Sequence, residues 1–309
     1  MNAKFSALVT LGRYLKKEGY RFVVVTPRTH ARILNRPEQQ PTLQSIFGWN
    51  HAIDRNSISP LLFELLSEAD VLSQRGDRYL ATVRFATIDD MLFAHSAFPT
   101  VETDAVFFGP DTYRFVRFVR SAIMDIPVRN GITLIDVGTG SGAGGLCAAR
   151  WLPGAKIQLA DVNPRALELS AVNAAINDLE SVEVVFSDVL SGIEDEPNLI
   201  IANPPYLIDN ERRLYRHGGG DRGISLAQRI AAEGLARLAP GGRLVLYTGT
   251  PVLGGVDALF ELIEPLLQLH CSQIVYEEID PDVFGEELER ICERRSHCRG
   301  RPRCSEIGA

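Results

Sequence analysis

Ile132-Thr-Leu-Ile-Asp-Val-Gly-Thr-Gly-Ser-Gly-Ala143 is the stretch that decides the fold. Ile132–Val137 is a run of buried-strand length, and glycines then recur at 138, 140 and 142. Small residues continue from Gly142 to Trp151 with helical character, so a strand passes into a helix through a tight turn. Downstream, Lys156–Asp161 reads as a second strand, and Pro164–Ile176 as a helix whose proline occupies the first turn. Val182–Phe186, Leu199–Ala202 and Arg243–Thr248 are further strands, Ser225–Leu238 and Val256–Leu267 helices, and Gln273–Glu278 a last strand. Strands alternating with helices of this length predict an α/β fold, a parallel sheet with right-handed crossovers.

The turn carries chemistry as well as geometry. Bare glycines bring a ligand against the main chain, and Gly138-x-Gly140-x-x-Ala143 satisfies the dinucleotide fingerprint. Asp161 ends the second strand nineteen residues past Gly142, where a carboxylate accepts hydrogen bonds from ribose hydroxyls. A nucleoside-containing cofactor is expected on Asp136, Gly138, Thr139, Gly140, Gly142, Asp161 and Val162. NAD would set its diphosphate at the helix N-terminus, beside Asp136. That carboxylate repels a diphosphate but suits the sulfonium and ammonium of S-adenosyl-L-methionine (SAM), which is the cofactor this reading favours.

Leu199–Ala202 runs into Asn203-Pro-Pro-Tyr206. Two prolines cannot continue a central strand, so the chain leaves the sheet at its carboxyl edge, where open α/β sheets bind ligands. The Asn203 side-chain oxygen and the Pro204 carbonyl can accept both hydrogens of one NH2 group, and Tyr206, beside Pro205, can stack on a planar amide or base. Such a grip aims a weakly nucleophilic nitrogen at a methyl sulfonium, a displacement that needs mostly positioning. Asn203, Pro204 and Tyr206 are the expected catalytic residues. Ten residues on, Arg216 and His217 within Tyr215-Arg-His-Gly-Gly-Gly-Asp-Arg-Gly223 complete the expected substrate set with Asn203, Pro205 and Tyr206; the loop reads as a mobile lid or as plain flexible surface.

These residues carry a resemblance. From about Val106 to Glu278 the chain is similar to the Rossmann-like class I SAM-dependent methyltransferases, and among them to the release-factor glutamine N5-methyltransferases. The shared stretches are Gly109-Pro-Asp-Thr112, Asp136–Gly142, Asp161, Asn173-Ala174, Ser187-Asp188 and Asn203–Tyr206. The resemblance implies that Asp136, Gly138 and Gly140 line the methionine part, Asp161 holds the ribose, Asp188 lies beside the adenine, and Asn203 and Pro204 hold the acceptor. It implies a glutamine side chain as acceptor, although Asn-Pro-Pro-Tyr also marks adenine-N6 methyltransferases. The family's Pro-Arg-Pro-Asp-Thr-Glu has no Arg here, and Tyr113 stands at its Glu. The first hundred residues do not look like the family's helical bundle, and no apolar strand follows Gln273–Glu278 to pair with it.

That N-terminal region, 1–105, reads as a small α+β substrate-recognition domain, winged-helix-like at best. Phe5, Leu8, Leu11 and Leu15 recur at helical spacing up to Gly19. Arg21–Val25 reads as a strand stopped by Pro27, residues 36–45 as a loop, and Ser59-Pro60 as the capped start of a helix. Tyr79, Ala81, Val83 and Phe85 alternate with other residues as a strand or wing does. The methyltransferase domain spans 106–285, and 286–309 is an Arg/Cys-rich tail with six arginines from Arg290 to Arg303. Cys292, His297, Cys298 and Cys304 match no common zinc spacing, so no metal is expected. Cys147 and the phenylalanines at 107, 108 and 115 read as packing.

Composition sets the outer limits. Of 309 residues, 45% are hydrophobic and 23% charged, which excludes a disordered chain. No apolar run is long enough to cross a membrane, and Phe5–Gly12 is too short for a secretory signal, so a cytoplasmic protein is expected. A net charge of −7 favours a protein or small-molecule substrate over nucleic acid. At the level of residues four uses of the pocket stay open: N-methyl transfer to an amide or a nucleic-acid base; an NAD-dependent oxidoreduction; consumption of SAM on a small metabolite or on itself, releasing methylthioadenosine; and cofactor binding without turnover.

Overall fold

The computed structural model describes residues 3–36, 40–126, 131–179, 181–280 and 302–305. At its centre is the expected parallel sheet. The chain first forms α1 (Ala3–Lys17), α2 (Pro27–Leu34) and α3 (Pro60–Glu68), with two hairpins, β1 (Leu72–Arg75) with β2 (Arg78–Ala81) and β3 (Val83–Ile88) with β4 (Met91–Ser96). Then come α4 (Pro110–Ile123), β5 (Thr133–Val137), α5 (Ala143–Trp151), β6 (Lys156–Asp161), α6 (Pro164–Ile176), β7 (Val182–Phe186) and β8 (Leu199–Ala202). The chain continues with α7 (Ser225–Arg237), β9 (Arg243–Leu246), β10 (Thr248–Leu253), β11 (Val256–Asp257), α8 (Ala258–His270) and β12 (Pro302–Ser305).

Five strands pair in the order β7-β6-β5-β8-β9, every pair parallel. Successive residues of β5 serve opposite faces. Leu134 joins the core beneath α4, α5 and α6, while Ile135 and Val137 join the one under α7 and α8. Strand order reverses at β5, with β6 on one side and β8 on the other, which opens a crevice at the carboxyl ends of these two central strands. The crevice thus falls where the glycine turn follows β5 and the Asn-Pro-Pro-Tyr tetrad follows β8.

One hydrophobic core runs from Leu8 in α1 through both hairpins to Leu134 and Tyr247 in the parallel half. Two asparagines of the α6 region stitch the halves together. The Asn173 side chain accepts from Ala94 N (2.7 Å) and donates to Ala94 O (3.0 Å) and to Ser141 O in the glycine turn (2.8 Å). The Asn177 side chain does the same for Leu92 N (3.0 Å) and O (2.8 Å). Backbone groups on the outer edge of β4 are thereby satisfied by side chains in place of another strand.

Several expectations are corrected. Arg21–Val25 is extended but joins no ladder: Phe22 N donates to the Thr87 hydroxyl (3.2 Å) and Val24 N to the Tyr113 hydroxyl (3.0 Å). Pro27 does not merely stop a strand. It opens α2, with the Thr26 side chain accepting from Thr29 N as N-cap. The alternating run is broken at Thr82, whose N–H goes to Val71 O, so it yields two strands of separate hairpins. Helix α4, which places Phe115, Val116, Val119 and Ile123 in the core, went unrecognised in the sequence.

Gln273–Glu278 forms no strand. Ile274, Val275 and Tyr276 are exposed, and beyond β9 the chain turns instead into an antiparallel ladder of β10 with β11 and β12. Asp257 then caps α8, accepting from Leu259 N and Phe260 N, two residues later than the apolar pattern suggested. Of the loop 36–45, residues 37–39 lie outside the described residues, as do Cys292, His297, Cys298 and all of the tail except β12.

Candidate active site

The crevice holds a cavity of about 640 Å³, lined by the glycine turn, the ends of β6 and β8, the first turn of α4 and the loop that follows the tetrad. Its volume falls within the roughly 300–1,000 Å³ usual for ligand sites. Asp136, the fourth residue of β5, is 1% exposed at the cavity floor. One carboxylate oxygen accepts from the Thr139 hydroxyl (2.7 Å) and from Gly145 N (2.8 Å). Burial nevertheless pushes its carboxyl up to about 6, helped by nearby Asp161 and opposed by those two hydrogen bonds.

Gly138 (φ 69°) and Gly140 (φ 56°) adopt left-handed backbone, with open space where a Cβ would stand, so bare main chain faces the cavity. Asp161 hooks this turn from the end of β6: one oxygen accepts from Gly140 N (2.9 Å), the other from Asn163 N (2.9 Å). Each oxygen keeps a further lone pair, and burial raises this carboxyl too. Val162 lies beside it on the wall, 38% exposed. Gly142 departs from the expected set. It does not line the cavity; at φ 81° it opens α5, and a Cβ there would lie 3.0 Å from Leu146 and 3.2 Å from Ser170. Asp188 lines the far end, with its carboxylate in a surface ion pair with Arg229 (2.8 Å).

At the opposite wall the Asn203 side-chain nitrogen faces Asp111 at 3.5 Å. The Asn203 side-chain oxygen is buried and has no hydrogen-bond partner among the described residues. Asp111 comes from the first turn of α4, is 6% exposed, and burial raises its carboxyl, opposed first by the Asn203 hydrogen bond. Asp111 is not among the expected site residues, although it lies within the shared stretch Gly109-Pro-Asp-Thr112. The signal was the helix start itself: Pro110 at the first position and the Thr112 hydroxyl accepting from Gly109 N (3.2 Å) fix how Asp111 enters the site. Pro204, Pro205 and Tyr206 line the same wall. The Tyr206 ring lies on the backbone of β10, where a Cβ on Gly249 would come within 2.4 Å of it.

Arg216 and His217 reach the cavity on a loop hydrogen-bonded back to the residue after the tetrad. Leu207 N donates to Arg216 O (3.1 Å) and Gly218 N to Leu207 O (2.9 Å). Gly218 and Gly223 are required there by close approach to backbone. A Cβ on Gly218 would meet Gly223 O at 1.9 Å and Pro205 O at 2.6 Å. Asp209, 6% exposed, accepts from Arg213 N (2.9 Å) and Nε (3.0 Å) and sits 3.6 Å from Arg216; Arg213 pulls its carboxyl down to about 2. Phe107 is not simply core: it lines the cavity and stacks on Tyr215 with ring centroids 5.8 Å apart and planes 9° apart. Phe108 and Cys147 are packing, each 2% exposed.

Residues 122–261 match the family model of the methyltransferase small domain. The release factor glutamine methyltransferase of Deinococcus radiodurans is 37% identical over 123 residues, 37% of this chain and 44% of that protein. That of Lactococcus lactis subsp. lactis is 28% identical over 172 residues, 52% of this chain and 60% of that protein. Ribosomal RNA small subunit methyltransferase C of Serratia proteamaculans is 32% identical over 137 residues, 44% of this chain and 36% of that protein. The resemblance read from the glycine turn and the tetrad is borne out, over 44% to 60% of the length of these release-factor relatives. Among the described residues no helix is long and apolar enough to cross a membrane.

Proposed function

We propose that this chain, whose residues 122–261 match the methyltransferase small domain, is a SAM-dependent N-methyltransferase acting on a planar NH2 nitrogen, by preference the side-chain amide of a protein glutamine. SAM supplies an electrophilic methyl group on a positively charged sulphur when bound. The residues fit it. The buried Asp136 carboxylate favours a cation beside the bare turn, and a diphosphate would meet the same charge as repulsion. The spare lone pairs of Asp161 are available to ribose hydroxyls, and Val162 supplies an apolar face next to them.

The observation that carries the reading is the orphaned Asn203 side-chain oxygen, buried in the wall of the same cavity that Asp136 floors. A buried acceptor left unpaired costs about 1–3 kcal/mol, so a donor is expected to meet it. Asp111 orients the Asn203 amide: the nitrogen turns to the carboxylate, and the oxygen is left for the acceptor's N–H. The Pro204 carbonyl takes the second hydrogen. Holding both hydrogens in the amide plane aims the nitrogen lone pair across the cavity, and the surplus proton leaves once the methylated nitrogen has become acidic. No general base is required of His217.

A glutamine acceptor is supported by the net charge of −7 and by the release-factor relatives, and the ribosomal RNA relative makes a base the competing outcome. The test is a radiolabelled-methyl assay on cell lysate with protein and RNA fractions separated, followed by mass mapping of the labelled residue. Label is expected in protein, on glutamine nitrogen. Asn203→Ala is expected to lower the rate about 100-fold or more while leaving SAM affinity within about threefold. Label confined to RNA, or an Asn203→Ala variant of full activity, overturns the reading.

A further inference from the structure

Away from the cavity, three side chains of the N-terminal region bury polar atoms that the fold leaves unmatched. Arg84 of β3 and His95 of β4 stand directly opposite each other in their hairpin and are 3% and 1% exposed. His30 is the buried residue of α2. Successive carbonyls bring it to the same place: Gly48 O accepts from Arg84 Nε (2.8 Å), and Trp49 O accepts from His30 Nε2 (2.9 Å). Aromatic rings close the surround. Phe22 lies under the guanidinium at 5.8 Å, His30 stacks on Phe98 (4.1 Å) and His95 on Phe108 (5.2 Å). Arg84 Nη2, His30 Nδ1 and His95 Nε2 are buried there without a hydrogen-bond partner among the described residues.

Whether each of these atoms donates or accepts follows from what its own side chain already does. A carbonyl only accepts, so His30 carries its proton on Nε2, and His95, bonded through Nδ1 to Ser96 O (3.1 Å), carries its proton on Nδ1. Burial and the Arg84 charge push both imidazoles down, His30 to about 4 and His95 well below its ordinary value. His30 and His95 also act on each other, so all three side chains are electrostatic neighbours; His51, Tyr20 and Tyr113 are the other titratable groups that reach them. Both rings are therefore neutral at pH 7, and their bare nitrogens are acceptors. Burial lowers Arg84 to about 10, which leaves it charged, so Nη2 is a donor.

We infer that one internal water molecule joins the three, donating its hydrogens to His30 Nδ1 and His95 Nε2 and accepting from Arg84 Nη2. About three hydrogen bonds are the usual complement of a buried water. Other small guests have the wrong sense. An anion would accept from Arg84 but face two lone pairs. A metal ion would suit imidazoles whose other nitrogens are held by carbonyls. The guanidinium repels it, however, and no group of three metal ligands occurs among the described residues. The water fastens α2 to the hairpin on the segments that lead to the cavity wall. Arg28 of α2 and Val106 line that cavity. Val106 in turn accepts from Ser96 N (3.0 Å) and donates to the Ser96 hydroxyl (2.8 Å), one residue from His95.

The test is a crystal structure of the full chain, grown at pH 7.5 with bromide as the only halide, together with nitrogen-15 NMR of its imidazoles at the same pH. A density peak of water size is expected within about 3.2 Å of all three nitrogens, without an anomalous bromine signal. NMR is expected to show His30 as the Nε2–H tautomer and His95 as the Nδ1–H tautomer. No density between the three nitrogens, an anomalous bromine peak there, or a peak that disappears after treatment with a chelator overturns the inference. So does either ring carrying protons on both nitrogens at pH 7.5. Failure of the methyl-transfer reading is a separate outcome, since a protein that binds no SAM would still hold this water.

Discussion

In the parallel half, neighbours such as Ile135, Ala160 and Ile200 are wholly buried apolar residues, and each takes its place by strand alternation alone. In the first hundred residues the comparable work falls to polar side chains reaching distant backbone. Tyr20 donates to Phe85 O (2.9 Å), Asn50 to Ala81 O (2.9 Å) and the 3% exposed Arg84 to Gly48 O (2.8 Å). The two regions meet at Asn173 and Asn177, where α6 satisfies the edge of β4. A periodic apolar region announces itself locally; a region held by side-chain-to-backbone bonds is assembled only when far segments come together.

The largest expected effect tests that junction. Asn173→Ala removes three hydrogen bonds from a fully buried site and leaves Ala94 N, Ala94 O and Ser141 O without that partner. A loss of about 3–5 kcal/mol is expected in urea unfolding, together with weaker SAM binding, because Ser141 belongs to the glycine turn. A loss below about 1 kcal/mol would mean that the apolar core alone joins the two regions.

A middle-sized effect separates the cavity floor from its scaffold. The Asp136 carboxyl is held near about 6, above its ordinary 3.8, so the folded, ligand-free protein keeps this proton to higher pH than the unfolded chain does. Its contribution to stability is therefore full below 3.8 and is lost as pH rises to about 6. Binding of a cation runs the other way, since it favours the carboxylate and expels the proton. SAM affinity measured by calorimetry should rise with pH up to about 6 and then level off, with a proton released in the acidic range. Asp136→Asn should bind SAM more weakly and with no such dependence. An unchanged pH profile in that variant would remove Asp136 from the donor site.

The smallest effect lies at the rim. Arg229 and Asp188 pair at 2.8 Å with both side chains substantially exposed, at 43% and 57%. Arg229→Ala is expected to change stability by no more than about 0.5 kcal/mol and SAM affinity by less than about twofold, measured by thermal shift and calorimetry. A larger fall in affinity would show that the pair presents Asp188 to the adenine instead of merely lying at the surface.

Legibility followed the same division. Lys156–Asp161, Pro164–Ile176, Val182–Phe186 and Leu199–Ala202 have the ends that the sequence predicts, because strand and helix periods are properties of consecutive side chains. The cavity gathers the expected residues except Gly142, whose left-handed backbone shapes the turn without facing the ligand space. Asp111 and Arg28 were hidden for a different reason. Asp111 lies 92 positions from Asn203 and Arg28 still farther from Arg216, and no local pattern records such a meeting. The Gln273–Glu278 strand failed because an apolar run does not by itself specify a pairing partner, and this one takes none among the described residues although β9 ends the parallel sheet.

What the sequence alone determined was therefore the parallel sheet, its glycine turn and the Asn-Pro-Pro-Tyr exit, since periodicity, glycine freedom and proline's missing donor act within a few residues. The tertiary structure alone decided which way the Asn203 amide faces, which carboxylates and arginines share its cavity, and how α6 binds the N-terminal hairpins. Those are contacts between segments far apart along the chain, and their physical content is distance and burial, which no stretch of sequence carries by itself.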